Sequence, residues 1–356
     1  MDSKGDLNSR NFTYLDNLVN SQSEITLDSD IILSADEESK YCKGLRLGIR
    51  IKGVSKNITI DGNGHTIDAR SKGIFFDIRK KLNIHFKNIH FKNGGTGKVT
   101  PIYCAKKSCR FEFTNCTFEN NNKTFSFYES DVILRDCRFV DNIQIFQSGL
   151  PSKNTTVFRM ENCTFKNNSQ IIHTGSVNAV NCVFENNNAV HAYSPSTHNP
   201  NKNPALFFNQ NFSNCTFRGN YDAFVNENAN ISFVECVFDN NSSEFGGVIY
   251  NKVSCSFTKC SSTNNSAKYA GVIFNGKDGH CTVNDSSFEG NHAEVAGAIL
   301  NEPKMRIALN KLVGSKKVSG GKLFFNGENR FSDNTNLNEG KEEINSLMDI
   351  PNGIKF

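Results

Sequence analysis

The chain has no tryptophan and only 7 prolines and 26 glycines in 356 residues. So little Pro and Gly excludes a collagen or a proline-rich linker, and 37% hydrophobic residues argue against general disorder. No run approaches the roughly 18 apolar residues of a membrane span. The opening MDSKGDLNSRNF has no apolar stretch of the secretory type. The expectation is a chain with no membrane-spanning segment and no visible signal peptide, compatible with a mature or excised piece of a larger protein. Charge of one sign is also missing. Forty Lys plus Arg stand against 36 Asp plus Glu, giving +4, too small and too evenly spread for a nucleic-acid surface. The run Arg79, Lys80, Lys81 reads as a solvated loop.

Several chemical signatures are absent as well. Zinc sites pair ligands at short spacing, and the 12 cysteines include no CxxC. Cys104 and Cys109, like Cys255 and Cys260, are five apart with no His and Cys cluster around them, so no metal or cofactor is expected. There is no GxSxG or HExxH, and GNGHT at Gly62 to Thr66 lacks the lysine and hydroxyl register of a phosphate loop.

What the chain has in excess is Phe, 30 residues, and Asn, 50 residues. Both recur in a phrase: NCTFENN at Asn115 to Asn121, DCRFVDN at Asp136 to Asn142, NCTFKNN at Asn162 to Asn168 and NCVFENN at Asn181 to Asn187. It continues as NCTFRGN at Asn214 to Asn220, ECVFDNN at Glu235 to Asn241 and SCSFTKC at Ser254 to Cys260. Ser286 takes the cysteine slot in a later copy and Ile89 in an earlier one, so the slot is about packing rather than disulfides. Slots from Cys116 to Cys255 are 19 to 33 residues apart. The longest gap contains Ser194 to Pro204, rich in Pro, Asn and Ser, which reads as a loop excursion.

Inside each copy polar and apolar residues alternate, the period of a strand with one buried face, and the Asn pair that follows is expected to turn the chain on the outside. Short strands without helical patterns between them predict an all-β, single-stranded parallel β-helix, one solenoid of ten or more coils. The predicted core is a stack of Cys116, Phe118, Cys137, Phe139, Cys163, Phe165, Cys182 and Phe184, continued by Cys215, Phe217, Cys236, Phe238, Cys255, Phe257 and Phe288. Residues 1–24 are expected to be a lead or cap, 25–301 the β-helix, and 302–356 degenerate final coils, such as Lys322 to Asn334, and a C-terminal cap at Glu342 to Ile350. A second phrase, GGVIYN at Gly246, AGVIFN at Ala270 and AGAILN at Ala296, suits tight corners.

The most enzyme-like grouping is Asp61, His65 and Asp68, where carboxylate and imidazole would serve as base and acid if they converged. They lie in one strand-turn-strand, NITIDGNGHTIDA, and read more simply as turn and edge residues. His85 and His90 are expected to face solvent. Glu119, Asp141 and Asp239 recur near the turn, but Lys166 and Arg218 hold equivalent slots, so these charges read as a solvated face. For sugar stacking without Trp, the candidates are Tyr193, Tyr221 and Tyr250.

These phrases resemble right-handed parallel β-helix repeat proteins of pectate-lyase-like fold, especially archaeal adhesin-like surface proteins and the polymorphic outer-membrane proteins of bacteria. The latter pair a Gly-Gly-small-Ile phrase with Phe-x-x-Asn, similar to GGVIYN and to FENN at Phe118 to Asn121. The resemblance implies an extracellular or cell-surface, non-enzymatic adhesion domain whose partner is a glycan, a cell-wall component or a host surface. The alternatives on the same scaffold are a polysaccharide lyase or glycoside hydrolase, and a structural spacer.

Overall fold

The structure is a computed structural model that describes residues 9–42, 48–52, 54–95, 100–148, 156–192, 208–227, 229–276, 278–301, 322–336 and 340–341. Tyr193, the segment Ser194 to Pro204 and the proposed closing segment Glu342 to Ile350 lie outside them. The chain divides into two compact units, Met1–Asn178 and Ala179–Phe356.

In the first unit three rows of short strands recur coil after coil. Row one holds Glu24–Thr26, Asn57–Asp61, Asn83–Lys87, Arg110–Thr114, Asp131–Arg135 and Val157–Glu161, each parallel to the next. Row two holds Ile31–Ile32, Thr66–Asp68, His90–Lys92, Thr117–Glu119, Arg138–Val140 and Thr164–Lys166. Row three runs from Ile49–Ile51 through Phe76–Ile78, Ile102–Cys104, Phe125–Phe127 and Phe146–Ser148 to Ile172–Thr174.

The second unit repeats the plan. Its row one includes Ala229–Val234, Ser254–Thr258, His280–Asn284 and Lys322–Asn326. Its row two includes Thr216–Arg218, Val237–Asp239, Ser261–Thr263 and Ser287–Glu289. Its row three includes Phe224–Asn226, Ile249–Asn251, Ile273–Asn275 and Ile299–Asn301. Strands that follow one another in sequence occupy different rows, and strands one coil apart pair in parallel, which is the right-handed parallel β-helix.

Alternation explains the rows. In Thr117–Glu119 only Phe118 is buried, and in Arg110–Thr114 only Phe111 and Phe113 are. Parallel in-register pairing then sets like on like. Phe118 faces Phe139 at 4.7 Å with ring planes 6° apart, and Phe139 faces Phe165 at 4.7 Å and 8°. In the second unit Phe184, Phe217 and Phe238 stack at 4.8 Å and 5.0 Å. Each buried ring contributes about 1.5–3 kcal/mol by removal from water.

The Asn-rich turns differ from expectation. The first Asn of each pair does turn the chain in the left-handed region, as at Asn120 (φ 53°), Asn167 (55°), Asn186 (54°) and Asn240 (53°). The second is not outside. Asn121, Asn142 and Asn168 in the first unit, and Asn187, Asn220, Asn241, Asn265, Asn291 and Asn334 in the second, are at most 1% exposed. Within each unit the backbone N–H donates to the side-chain oxygen of the next rung, as Asn121 to Asn142 at 2.9 Å, Asn220 to Asn241 at 3.0 Å and Asn241 to Asn265 at 2.9 Å. Side-chain nitrogens donate to a carbonyl one coil earlier, as Asn241 Nδ2 to Phe217 O at 2.9 Å and Asn291 Nδ2 to Ser262 O at 3.0 Å. The corner turns a backbone N–H into the coil, where the next buried amide accepts it, and the same amide adds a donor to a carbonyl of the strand before. The phrases at Gly246, Ala270 and Ala296 end in a second ladder of the same type, Asn251 to Asn275 to Asn301, with rungs at 2.8 Å.

A second correction concerns SCSFTKC. Cys255 and Phe257 are buried but belong to row one, opposite Ile231 and Phe233. The cysteine slot of this coil is Cys260, whose Sγ donates to Phe233 O at 3.5 Å just as Cys236 donates to Phe212 O. Ser262 therefore takes the place of the stacked Phe, opposite Phe238 and Phe288.

The N-terminal segment covers the open strand edges of the first coil. Arg10 pairs with Ile31, and helix α1, Phe12–Ser21, lays Asn20 against the third row, its side chain bonding Arg50 O at 3.1 Å and Lys52 N at 2.7 Å. The helix N-terminus is anchored by the buried Glu37 carboxylate, which accepts from Phe12 N at 3.1 Å and Thr13 N at 2.6 Å.

Candidate functional site

The sequence-derived trio is held apart by separate partners. Asp61 accepts from Asn63 N at 2.9 Å and Asn88 Nδ2 at 3.0 Å and pairs with Lys87 at 3.1 Å. Burial alone would raise its carboxyl, but these donors outweigh it and hold it below the usual range. Asp68 accepts from Arg70 N at 2.7 Å and Asn93 Nδ2 at 3.0 Å. His65 Nδ1 instead meets Asp30 at 3.3 Å. Both aspartates thus begin exposed asparagine ladders, since Asn115 continues from Asn88 and Asn120 from Asn93.

The recurring charges pair between coils. Glu119 meets Lys92 at 3.1 Å and His90 at 2.9 Å, and Lys92 first, with His90, holds its carboxyl low. Asp239 meets Arg218 at 3.3 Å, and Asp141 is a turn residue with φ 55°. His85 and His90 are half-buried rather than open to solvent, His85 against Thr114 Oγ1 at 3.0 Å. Among the described residues no three His, Cys, Asp or Glu side chains are grouped to hold a metal ion, and no helix is long and apolar enough to cross a membrane.

A different site emerges on the outside of the second unit. In Ile249–Asn251 the flanking residues point inward and are fully buried, so Tyr250 points away from the axis. Its register partner one coil on is Phe274, whose own is Leu300. Before each of these strands stands a pair of small residues, Gly246–Gly247, Ala270–Gly271 and Ala296–Gly297. A Cβ on Gly271 would collide with the Gly297 carbonyl, and Gly246 has φ 72°. The sharp corner brings the residues just ahead of it, Phe245, Tyr269 and Val295, across the outward side chains of row three. These segments bond coil to coil, Tyr269 N to Glu244 O at 3.3 Å and Glu294 N to Lys268 O at 3.0 Å.

The result is an aromatic ledge. Phe245 stacks on Tyr269 at 4.9 Å and 11° and on Tyr250 at 5.6 Å and 28°. Phe274 closes it edge-on from beneath, at 5.2 Å from Tyr250. Phe245 is 37% exposed, whereas Phe274 and Leu300 are buried at 4% and 3%. The polar border is built from the same coils. Lys252 lies 4.8 Å over Tyr250 and pairs with Glu227, and Lys268 lies 5.3 Å over Tyr269. Asp222 sits beside Glu244, and burial first, then the Glu244 charge, raises its carboxyl above the usual range. Of the three tyrosines singled out for stacking, Tyr250 joins the ledge. Tyr221 is 50% exposed on a turn bridge in the same unit, and Tyr193 is outside the described residues. Sequence reasoning missed Phe245, Tyr269 and Phe274, although an aromatic two residues before each Gly-Val-Ile was a usable signal.

A family comparison agrees on the fold. Residues 47–206 match the family described as right handed beta helix region. The chain is a right-handed parallel β-helix repeat protein. No curated protein matches it by sequence. Among solved structures it is similar to tailspike protein 3 of bacteriophage CBA120, at 11% identity and a TM-score of 0.34, covering 78% of this chain and 46% of that one. It is also similar to PfbA, a surface adhesin of Streptococcus pneumoniae, at 13% identity and a TM-score of 0.28, covering 87% and 82%. A third, ORF18 of Geobacillus virus E2, gives 12% identity and a TM-score of 0.27 over 91% and 60%. The chain thus spans under half the length of the tailspike, and likenesses this distant transfer no activity to it.

Proposed function

We propose that this protein is a non-enzymatic, extracellular surface-associated domain that docks a glycan of a cell wall or cell surface on the aromatic ledge of its second unit. The observation that carries the reading is the ledge itself. Stacked aromatic faces with a charged border suit a sugar, whose C–H faces pack on rings while its hydroxyls bond polar groups around them. Binding to a panel of immobilised neutral and acidic polysaccharides, with release of soluble sugar followed in the same incubation, tests it. Phe245→Ala and Tyr250→Ala are each expected to weaken binding about tenfold, the loss of one ring contact of about 1.4 kcal/mol. Unchanged affinity in both variants would discard the ledge.

A second reading, a polysaccharide lyase or hydrolase, is favoured by one observation: the raised Asp222 carboxyl beside Glu244 at the border of the ledge, the condition of a general acid. Sugar release abolished by Asp222→Asn would replace the binding reading with this one.

A further inference from the structure

The first unit contains a pair of cysteines placed unlike those of the repeat slot. Cys116, Cys137 and Cys163 each donate to a backbone carbonyl one coil earlier, Phe86 O, Phe113 O and Leu134 O, and are sealed among the stacked rings. Cys104 closes the strand Ile102–Cys104 and Cys109 immediately precedes Arg110–Thr114, with the turn Ala105 to Ser108 between them. Cys109 Sγ also reaches a carbonyl one coil earlier, Lys80 O at 3.5 Å, but it accepts from a second thiol in turn, Cys104 donating to it at 3.3 Å. Cys109 also lines a cavity of ≈ 390 Å³ with Ser108, Arg110, Glu129, Asp131 and Arg159. Both residues are only 1% exposed, as are Cys116 and Cys163, and what sets Cys109 apart is its place in the lining of this cavity, through which a small oxidant would reach it.

We infer that Cys104 and Cys109 are an oxidation site at which hydrogen peroxide closes a disulfide across the turn. The hydrogen bond from Cys104 first, with help from the Lys81 charge and against burial, brings the Cys109 thiol down to about 7. That makes it the attacking sulfur. The contact with Cys109 and burial push the Cys104 thiol up, so it keeps its proton until it resolves the intermediate. In the first step the Cys109 thiolate attacks one peroxide oxygen. The O–O bond breaks, an S–OH group forms, and the departing hydroxide takes a proton and leaves as water. In the second the Cys104 sulfur attacks Cys109 Sγ, the S–S bond forms, the S–O bond breaks, and hydroxide leaves with the Cys104 proton as a second water. Two thiols lose two electrons, and one peroxide is reduced to two waters.

The test uses the full chain treated with hydrogen peroxide, then unfolded, alkylated with iodoacetamide, digested and analysed by mass spectrometry. The expected result is loss of alkylation at Cys104 and Cys109 together, with their peptides linked, while Cys116, Cys137 and Cys163 are recovered alkylated. In Cys104→Ser, peroxide treatment followed by unfolding in the presence of dimedone should mark Cys109 as a sulfenic acid. In Cys109→Ser it should leave Cys104 unmarked. Recovery of Cys104 and Cys109 as thiols after oxidation of the core cysteines, or a mark on Cys104 instead, overturns the inference. The wild-type linkage decides the matter even if a variant fails to fold.

Discussion

Neighbouring asparagines with opposite roles give a direct test of the interior ladder. At Asn241 the side-chain oxygen accepts from Asn220 N at 3.0 Å and from Asn220 Nδ2 at 2.9 Å, while its nitrogen donates to Phe217 O and Asn265 Oδ1, both at 2.9 Å. In Asn241→Ala, Asn220 Nδ2 keeps Phe184 O and Asn265 Oδ1 keeps Asn241 N. The Asn220 backbone N–H has no replacement among the described residues, whereas the Phe217 carbonyl stays in the strand Thr216–Arg218, paired with Val237–Asp239. One buried orphan predicts a loss of about 1–3 kcal/mol. Asn240, one residue earlier, is exposed and left-handed at φ 53°, so Asn240→Gly should change stability by less than about 0.5 kcal/mol. With no tryptophan to report, far-UV circular dichroism in urea gives the global value. Amide exchange of the Asn214 to Asn220 segment reads the local one, since a solenoid loosens coil by coil. Equal costs at the two positions, or an Asn241→Ala loss below about 1 kcal/mol, would refute the argument that these interior amides are needed to satisfy the corner.

Two further outcomes follow from single groups. Burial works to raise the Glu37 carboxyl, but donors from Thr13 and Ser34 hold it below its ordinary 4.5. Its stabilisation is therefore present above that value and is lost as pH falls through the lower folded value. Amide protection of Phe12–Ser21 should drop on acidification, and Glu37→Gln should cost about 1–3 kcal/mol at neutral pH. Protection that ignores pH would discard the anchoring role. Ser262, 1% exposed, carries a hydroxyl with no hydrogen-bond partner among the described residues, in the row of stacked rings. Ser262→Ala should raise stability by about 1 kcal/mol in the same urea titration, and a decrease would mean that the hydroxyl is satisfied.

The strand rows were legible because a period of two and a recurring Phe specify both the buried face and its register. Phe118, Phe139 and Phe165 could be aligned from letters alone. The interior ladder was hidden because Asn120 and Asn121 are the same letter with opposite surroundings, and turn preference explains only the first. Cys255 and Phe257 were misplaced because SCSF imitates the repeat phrase five residues early, and only hydrogen-bond register separates them from Cys260 and Ser262. The ledge was partly visible in Tyr250. Phe245, Tyr269 and Phe274 went unmarked, because composition does not tell an aromatic pointing inward from one pointing out.

Because each interior Asn accepts from the rung before it and donates to the rung after, every coil presents its neighbours with the same socket and the same plug. A coil inserted or removed whole would leave no interior amide unmatched. The ladder can also start without an Asn: Gly94 supplies only an N–H, given to Asn121 Oδ1 at 2.7 Å, and the Phe75 ring fills the space where its side chain would be. Length in such a chain is a variable that duplication and deletion can adjust in steps of one coil, without redesigning the interior each time.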